Sequence, residues 1–313
     1  MPVKKIGITA LVPPELIFAC SAAPFDVNNV ITASRKYPGN KLCAWTAIWK
    51  EMLVKKEIGV DSLVVVAGGD CHNALVDGQK AAMSGIPTHF FFYPFDGDPQ
   101  YLESQLHRLS RFLGGIKSPE IFKEIGELKK QGQLLDKKRS CGKLSSSDAF
   151  RILISFSDLG GDLAGFSRSI FDMQEKDIEV RNRIAMIGVP PIFHDFHETA
   201  QSLDLQIVFD ELPYEFIRLG GRDIQEIAAN YSGYTFARPL EFRIDFLKKE
   251  LKKRRVDGVI HYTQFACHHM LEDEVLREKL DYPMLTIQGD LPGNTPQQVK
   301  LRLEAFREML DRL

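Results

Sequence analysis

An excess of either charge is missing from this chain. Forty Lys and Arg stand against 42 Asp and Glu, for a formal net charge of −2. That balance leaves no overall basic footprint for nucleic acid. Long apolar runs are missing as well. No stretch reaches bilayer-spanning length, so no membrane segment is expected. The opening MPVKKIGITALVPPEL carries a short apolar run that stops at Pro13 and Pro14. It is too short for a signal-peptide core, so a cytoplasmic location is expected. Cysteine is scarce, with five in 313 residues. Five are too few for a disulfide scaffold of this size, and the cytosol keeps thiols reduced. No two cysteines are spaced as CxxC, which argues against a zinc ribbon or a ferredoxin-type run. Core packing, catalysis and metal remain as roles for them.

What is present is an ordinary globular composition, 44% hydrophobic and 26% charged, on a chain long enough for two domains. The basic runs Lys129–Lys130, Lys137–Arg139 and Lys252–Arg255 are mixed with acids and read as solvated helix faces.

Taken in order, Ile6–Leu11 reads as a strand, and the run from Glu15 to Cys20 as a second, ended by Pro24. Asn40–Leu53 has apolar residues at helical spacing, with Cys43 in its first turn. Gly59–Ala67 carries a continuous Val run that suits a strand covered on both faces. A helix over Ala74–Ser84, a strand over Ile86–Tyr93 and a helix over Pro99–Leu113 follow. The alternation predicts a doubly wound, mainly parallel α/β sheet. Residues 118–171 show helices and no convincing strand. A second α/β unit then begins at Arg183–Val189. It continues through a helix at His194–Ser202, a strand at Leu205–Phe209 and a helix at Leu240–Arg254. It ends with the strand before Cys267, a helix at Met270–Leu280, a strand at Pro283–Ile287 and a helix at Pro296–Leu313. The expected division is an N-terminal α/β domain over 1–117, a helical connector over 118–180 and a C-terminal α/β domain over 181–313.

Chemistry points to the cysteines. Cys43, Cys71 and Cys267 each fall at a strand end or helix start beside polar residues. In an α/β fold such positions gather at the edge that binds ligands. Helix N-termini also favour thiolate. Three separated thiolates suit a metal site between domains, and thiolate favours iron–sulfur or zinc over hard cations. Three cysteines on a cubane cluster leave one iron without a protein thiolate. Taken singly, each cysteine reads as a small buried hydrophobe before it reads as a ligand; the shared context of the three tips the set towards metal. Cys20 has three open roles: fourth ligand, neighbour that tunes a cluster, or core. Cys141 reads as a free thiol. His72, His268 and His269 flank two of the cysteines and are candidate proton donors, sulfur hydrogen-bond partners or ligands. His194 and His197 mimic a metal pair on a helix, and Asp70 and Asp290 end strands. Gly68–Gly69 is too weak for a nucleotide loop.

The chain resembles the 2-hydroxyacyl-CoA dehydratase D-component family, which includes the benzoyl-CoA reductase subunits and the double-cubane cluster proteins. The similar elements are PPELIFACSAAP, the helix entry at Cys43, strand–GGDC at Cys71, strand–HYTQFAC at Cys267 and the ending GD…QQVKLRLEAFREML. They span Pro13 to Leu310. The resemblance implies two flavodoxin-like domains joined by helices, with a [4Fe–4S] cluster held between them by Cys43, Cys71 and Cys267. It implies an ATP-dependent iron–sulfur activator, a homodimer or a heterodimer with a related subunit, and anaerobic low-potential chemistry. That chemistry is either dehydration or two-electron reduction of a small substrate such as an acyl-CoA. His72 and His268 are then the candidate proton carriers. Cys20 replaces a small residue of the family's first motif. A fourth thiolate there would close the cluster and make the chain a non-catalytic electron-transfer or scaffold subunit. A double-cubane cluster needs more thiolates than the five cysteines present. The chain is also short for the family, which weakens the case for a CoA pocket. A metal-free α/β enzyme with core cysteines is a third expectation.

Overall fold

The computed structural model describes residues 3–31, 43–69 and 71–313. Its first half alternates β1 (Lys4–Ile8), α1 (Pro14–Ala19), β2 (Ala22–Asp26), α2 (Ala44–Val54), β3 (Ser62–Gly68), α3 (His72–Met83), β4 (Thr88–Phe92) and α4 (Pro99–Leu113). Helices α5 (Ile121–Ser140), α6 (Ser146–Ile154) and α7 (Leu163–Phe171) follow without a strand. The second half runs β5 (Asn182–Gly188), α8 (Phe196–Ser202), β6 (Leu205–Asp210), α9 (Glu211–Arg218), α10 (Ile224–Tyr231), α11 (Leu240–Arg254), β7 (Gly258–Gln264), α12 (Asp273–Leu280), β8 (Met284–Gly289) and α13 (Gln297–Leu310).

Every ladder among these strands is parallel. The two sheets have the orders β2-β1-β3-β4 and β6-β5-β7-β8, so the halves repeat one flavodoxin-like topology. Successive side chains leave a strand on opposite faces. Val64 and Val66 of β3 enter one core, and Leu63, Val65 and Ala67 enter another. In the second sheet Ile184 and Ile260 face that second core, while Ala185, Ile187 and Val259 face a third. Both sheets are therefore covered on both faces, as the Val run of β3 requires.

The run from Glu15 to Cys20 is a helix, not the expected strand. Pro14 stands at its first position, where its missing N–H costs nothing, and Glu15 lies in the first turn. Burial on all sides had produced the continuous apolar pattern. The strand comes next, at Ala22–Asp26. It lies on the sheet edge, where Pro24 is tolerated.

The halves interlock. Side chains from 216–237, in the crossover between β6 and β7, pack into the first core with α1, α4 and α5. The basic runs are not simply solvated faces: Lys129, Arg139 and Arg254 are buried in ion pairs. Lys129 Nζ lies 2.6 Å from Glu15 Oε1, and 2.7 Å from both the Leu219 carbonyl and the Tyr231 hydroxyl. Arg139 bonds Asp136 and Asp210, and Arg254 bonds Asp136.

Candidate functional site

The carboxyl ends of both sheets open on one cavity of about 400 Å³. Thr9 and Asp26 reach it from behind β1 and β2, and Cys71 from behind β3. Val189 follows β5, Leu212 begins just beyond β6, and Cys267 follows β7. Helix α6 closes one side with Phe150 and Arg151. Gly188 lets β5 end close against β7: its φ is +91°, and a Cβ there would lie 2.3 Å from the Tyr262 carbonyl oxygen.

Cys43, Cys71 and Cys267 all line this cavity. Each caps the amino end of a helical segment, namely α2, α3 and the 3-10 turn His268–Glu272. The Cys71 thiol accepts the Ala74 N–H at 3.4 Å. Burial is the larger effect and leaves the Cys43 thiol raised, although the backbone N–H groups of Thr46 and Trp45 pull it part of the way down. Such N–H groups stabilise sulfur as thiolate. The other two cysteines sit at the opposite helix ends. Cys20 caps the carboxyl end of α1 inside the first core, with its sulfur 4.0 Å from Ser110 Oγ, and it does not line the cavity. Cys141 caps the carboxyl end of α5 and is exposed.

Two loops from opposite halves are joined beside the thiols. Asn73 Nδ2 donates to the Ala266 carbonyl at 2.9 Å, and the His72 and His268 rings meet edge to face at 5.0 Å. Ala266 holds a left-handed φ of +62° just before Cys267. His268 and His269 line the cavity; His72 is exposed and does not. Burial, followed by His269 and His72 nearby, holds the His268 imidazole down at about 4. His269 Nδ1 lies 3.0 Å from Glu272 Oε2. Burial alone would raise Glu272, but His269 and Arg243 bring it down to about 2.

Sequence reasoning missed the polar groups on the other walls. Asp26 is buried, and its carboxylate accepts the Asn28 N–H and the Asn28 amide, both at 2.9 Å. Burial and then the Asp158 charge push its carboxyl up to about 7. His194 and His197 both line the cavity, but His197 is committed to Asp210 at 2.9 Å. Among the described residues no three His, Cys, Asp or Glu groups are placed to hold a metal ion. Asp70 lies outside the described residues. The Asp290 carbonyl accepts the Gln264 amide.

Fold and cavity together define a two-domain, flavodoxin-like α/β protein whose ligand edge is shared between its halves and carries three helix-capping cysteines. The model of the family described as 2-hydroxyglutaryl-CoA dehydratase, D-component, matches residues 9–310, and the chain belongs to that family. No curated protein matches the chain. No helix among the described residues is long and apolar enough to cross a membrane.

Proposed function

We propose that this chain is the iron–sulfur component of a 2-hydroxyacyl-CoA dehydratase-type enzyme, with Cys43, Cys71 and Cys267 holding a [4Fe–4S] cluster in the shared cavity. The observation that carries the reading is the sorting of the cysteines. The three that line the cavity are all at helix amino ends, and the two elsewhere are both at carboxyl ends. The donor set, three thiols lining one cavity, suits a thiolate-ligated group. Such a cluster, held by Cys43, Cys71 and Cys267, would supply one-electron transfer and Lewis-acid chemistry. The protein's part is to present the three thiols at helix amino ends, to tie the two loops through Asn73 and Ala266, and to surround a small substrate with the apolar faces of Phe150, Phe193 and Phe216. Cys20 lies outside the cavity, which favours the three-thiol form over a closed, purely electron-carrying one. In this reading the partners are an ATP-hydrolysing iron–sulfur activator and a second subunit, either a copy or a relative. The location is cytoplasmic and the chemistry anaerobic.

Iron and acid-labile sulfide per chain test this on anaerobically purified protein. The wild type is expected to hold about four irons. Cys43→Ser, Cys71→Ser and Cys267→Ser should each lose them, and Cys20→Ser should keep them. An iron-free wild type, or loss in Cys20→Ser equal to the other three, overturns the assignment.

A further inference from the structure

We propose that His197 is the group that exchanges protons with a ligand in the cavity, its ring held in one tautomer by Asp210. The proposal rests on the cavity being the reaction site, and not on what the cysteines hold. His197 lies in the first turn of α8, in the segment that follows β5, and is one of the residues lining the cavity. Three contacts fix that ring. Nε2 lies 2.9 Å from Asp210 Oδ1. Phe150 stacks on it at 3.9 Å between centroids, and Phe196 meets its edge at 6.2 Å.

Asp210 determines which ring nitrogen carries the hydrogen. Its carboxyl is fully buried at the end of β6 and is also bonded by Arg139. Burial alone would raise it, but His197 and Arg139 hold it below the usual carboxylate range. An ionised carboxylate only accepts, so Nε2 must donate. Nδ1 is then the bare nitrogen, and no group among the described residues bonds it. A base held by a hydrogen-bonded carboxylate, with its other nitrogen open, is the arrangement general acid–base chemistry needs. A proton leaving a ligand C–H or O–H goes to Nδ1, leaving the ligand as its conjugate base and an imidazolium against the Asp210 carboxylate. The reverse transfer delivers that proton to a departing oxygen. No electron moves in either direction. Arg139 lies behind Asp210, and the other titratable or charged groups lining the cavity, besides the cysteines, are Asp26, Arg151, His194, Glu198, His268 and His269.

A purely structural pair would tie α8 to β6 and leave Nδ1 closed. Two measurements on the full-length protein separate the cases. Imidazole ¹⁵N spectra are expected to show His197 as the Nε2–H tautomer alone, and a mixture of tautomers in Asp210→Asn. Acylation by diethyl pyrocarbonate, mapped by mass spectrometry, is expected at Nδ1 of His197 at more than about ten times the rate at His261, a buried group that reacts only through local opening. His261 is the internal reference because it is fully buried and bonded to Asp273. An Nδ1–H tautomer, or acylation no faster than at His261, overturns the proposal. The wild-type data decide it even if Asp210→Asn fails to fold. Iron measured on the same sample keeps the readings apart, since loss of the cluster assignment leaves the His197 result unchanged.

Discussion

Arg139→Met is expected to destabilise the protein by about 3–5 kcal/mol, the usual consequence of removing one partner from a buried ion pair. Arg139 has no exposed surface and bonds two buried carboxylates, Asp136 and Asp210. Methionine fills much the same volume, so packing loss is a minor part of the effect. What remains is negative charge in a dry interior. Asp136 keeps Arg254, at 2.6 Å, and Asp210 keeps His197. Those partners limit the damage without removing it. At roughly 2–4 °C per kcal/mol for larger domains, the melting temperature should fall by about 6–20 °C. Lys137→Met, at an exposed position nearby on the same helix, should change it little. Thermal melts of the two variants beside the wild type check this. An Arg139→Met melt within a degree or so of the wild type would show that the interior carboxylates are not charged as described.

Asp26→Asn is expected to reverse an unusual pH dependence. A carboxyl at about 7 against an ordinary 3.8 holds a proton in the folded chain that the unfolded chain has released. The folded state therefore binds more protons between those values, and stability falls as pH rises through that window. Most buried carboxylates act in the opposite sense. Each tenfold change in proton affinity is worth about 1.4 kcal/mol, so the loss between pH 4 and pH 8 is on the order of 2–4 kcal/mol. Asn28 still finds an acceptor oxygen on an asparagine at position 26, so the local turn is kept. Asp158 loses its charged neighbour in the variant, which adds to the gain at high pH. Urea midpoints at several pH values should show wild-type stability falling relative to Asp26→Asn as pH rises. Parallel curves would mean that Asp26 is ionised throughout.

Much of this architecture is legible in the sequence where one segment carries its own signal. The Val run marks β3 as central because a strand buried on both faces has no polar alternation. Cys71 and Cys267 announce themselves by following such strands, and Cys43 by opening an amphipathic run. Residues 15–20 fail for a physical reason: a short helix buried all round and a buried strand have the same apolar pattern, and only Pro13 and Pro14 hinted at a helix start. Lys129, Arg139 and Arg254 were hidden because each has a partner far away in sequence, at Glu15, Asp210 and Asp136 respectively, although Arg139 also bonds Asp136 on its own helix. A basic residue in a mixed run looks solvated until the fold brings it a carboxylate. His197 was visible only as half of an i,i+3 pair. Its partner Asp210 ends the neighbouring strand, and nothing local links the two.

The crossover from β6 to β7, which packs 216–237 into the first core, has a consequence for the order of events during synthesis. The first sheet emerges from the ribosome with part of its core still unmade. It waits on residues from beyond the connector to finish one face. The last of the three cavity thiols, Cys267, follows that segment after one further helix and one strand. Non-local contacts of this kind slow folding because the loop must close before it is rewarded. The segment that completes the core and the last of the three thiols therefore both come from the second half of the chain. The cavity is therefore walled only once elements from both halves of the chain have come together.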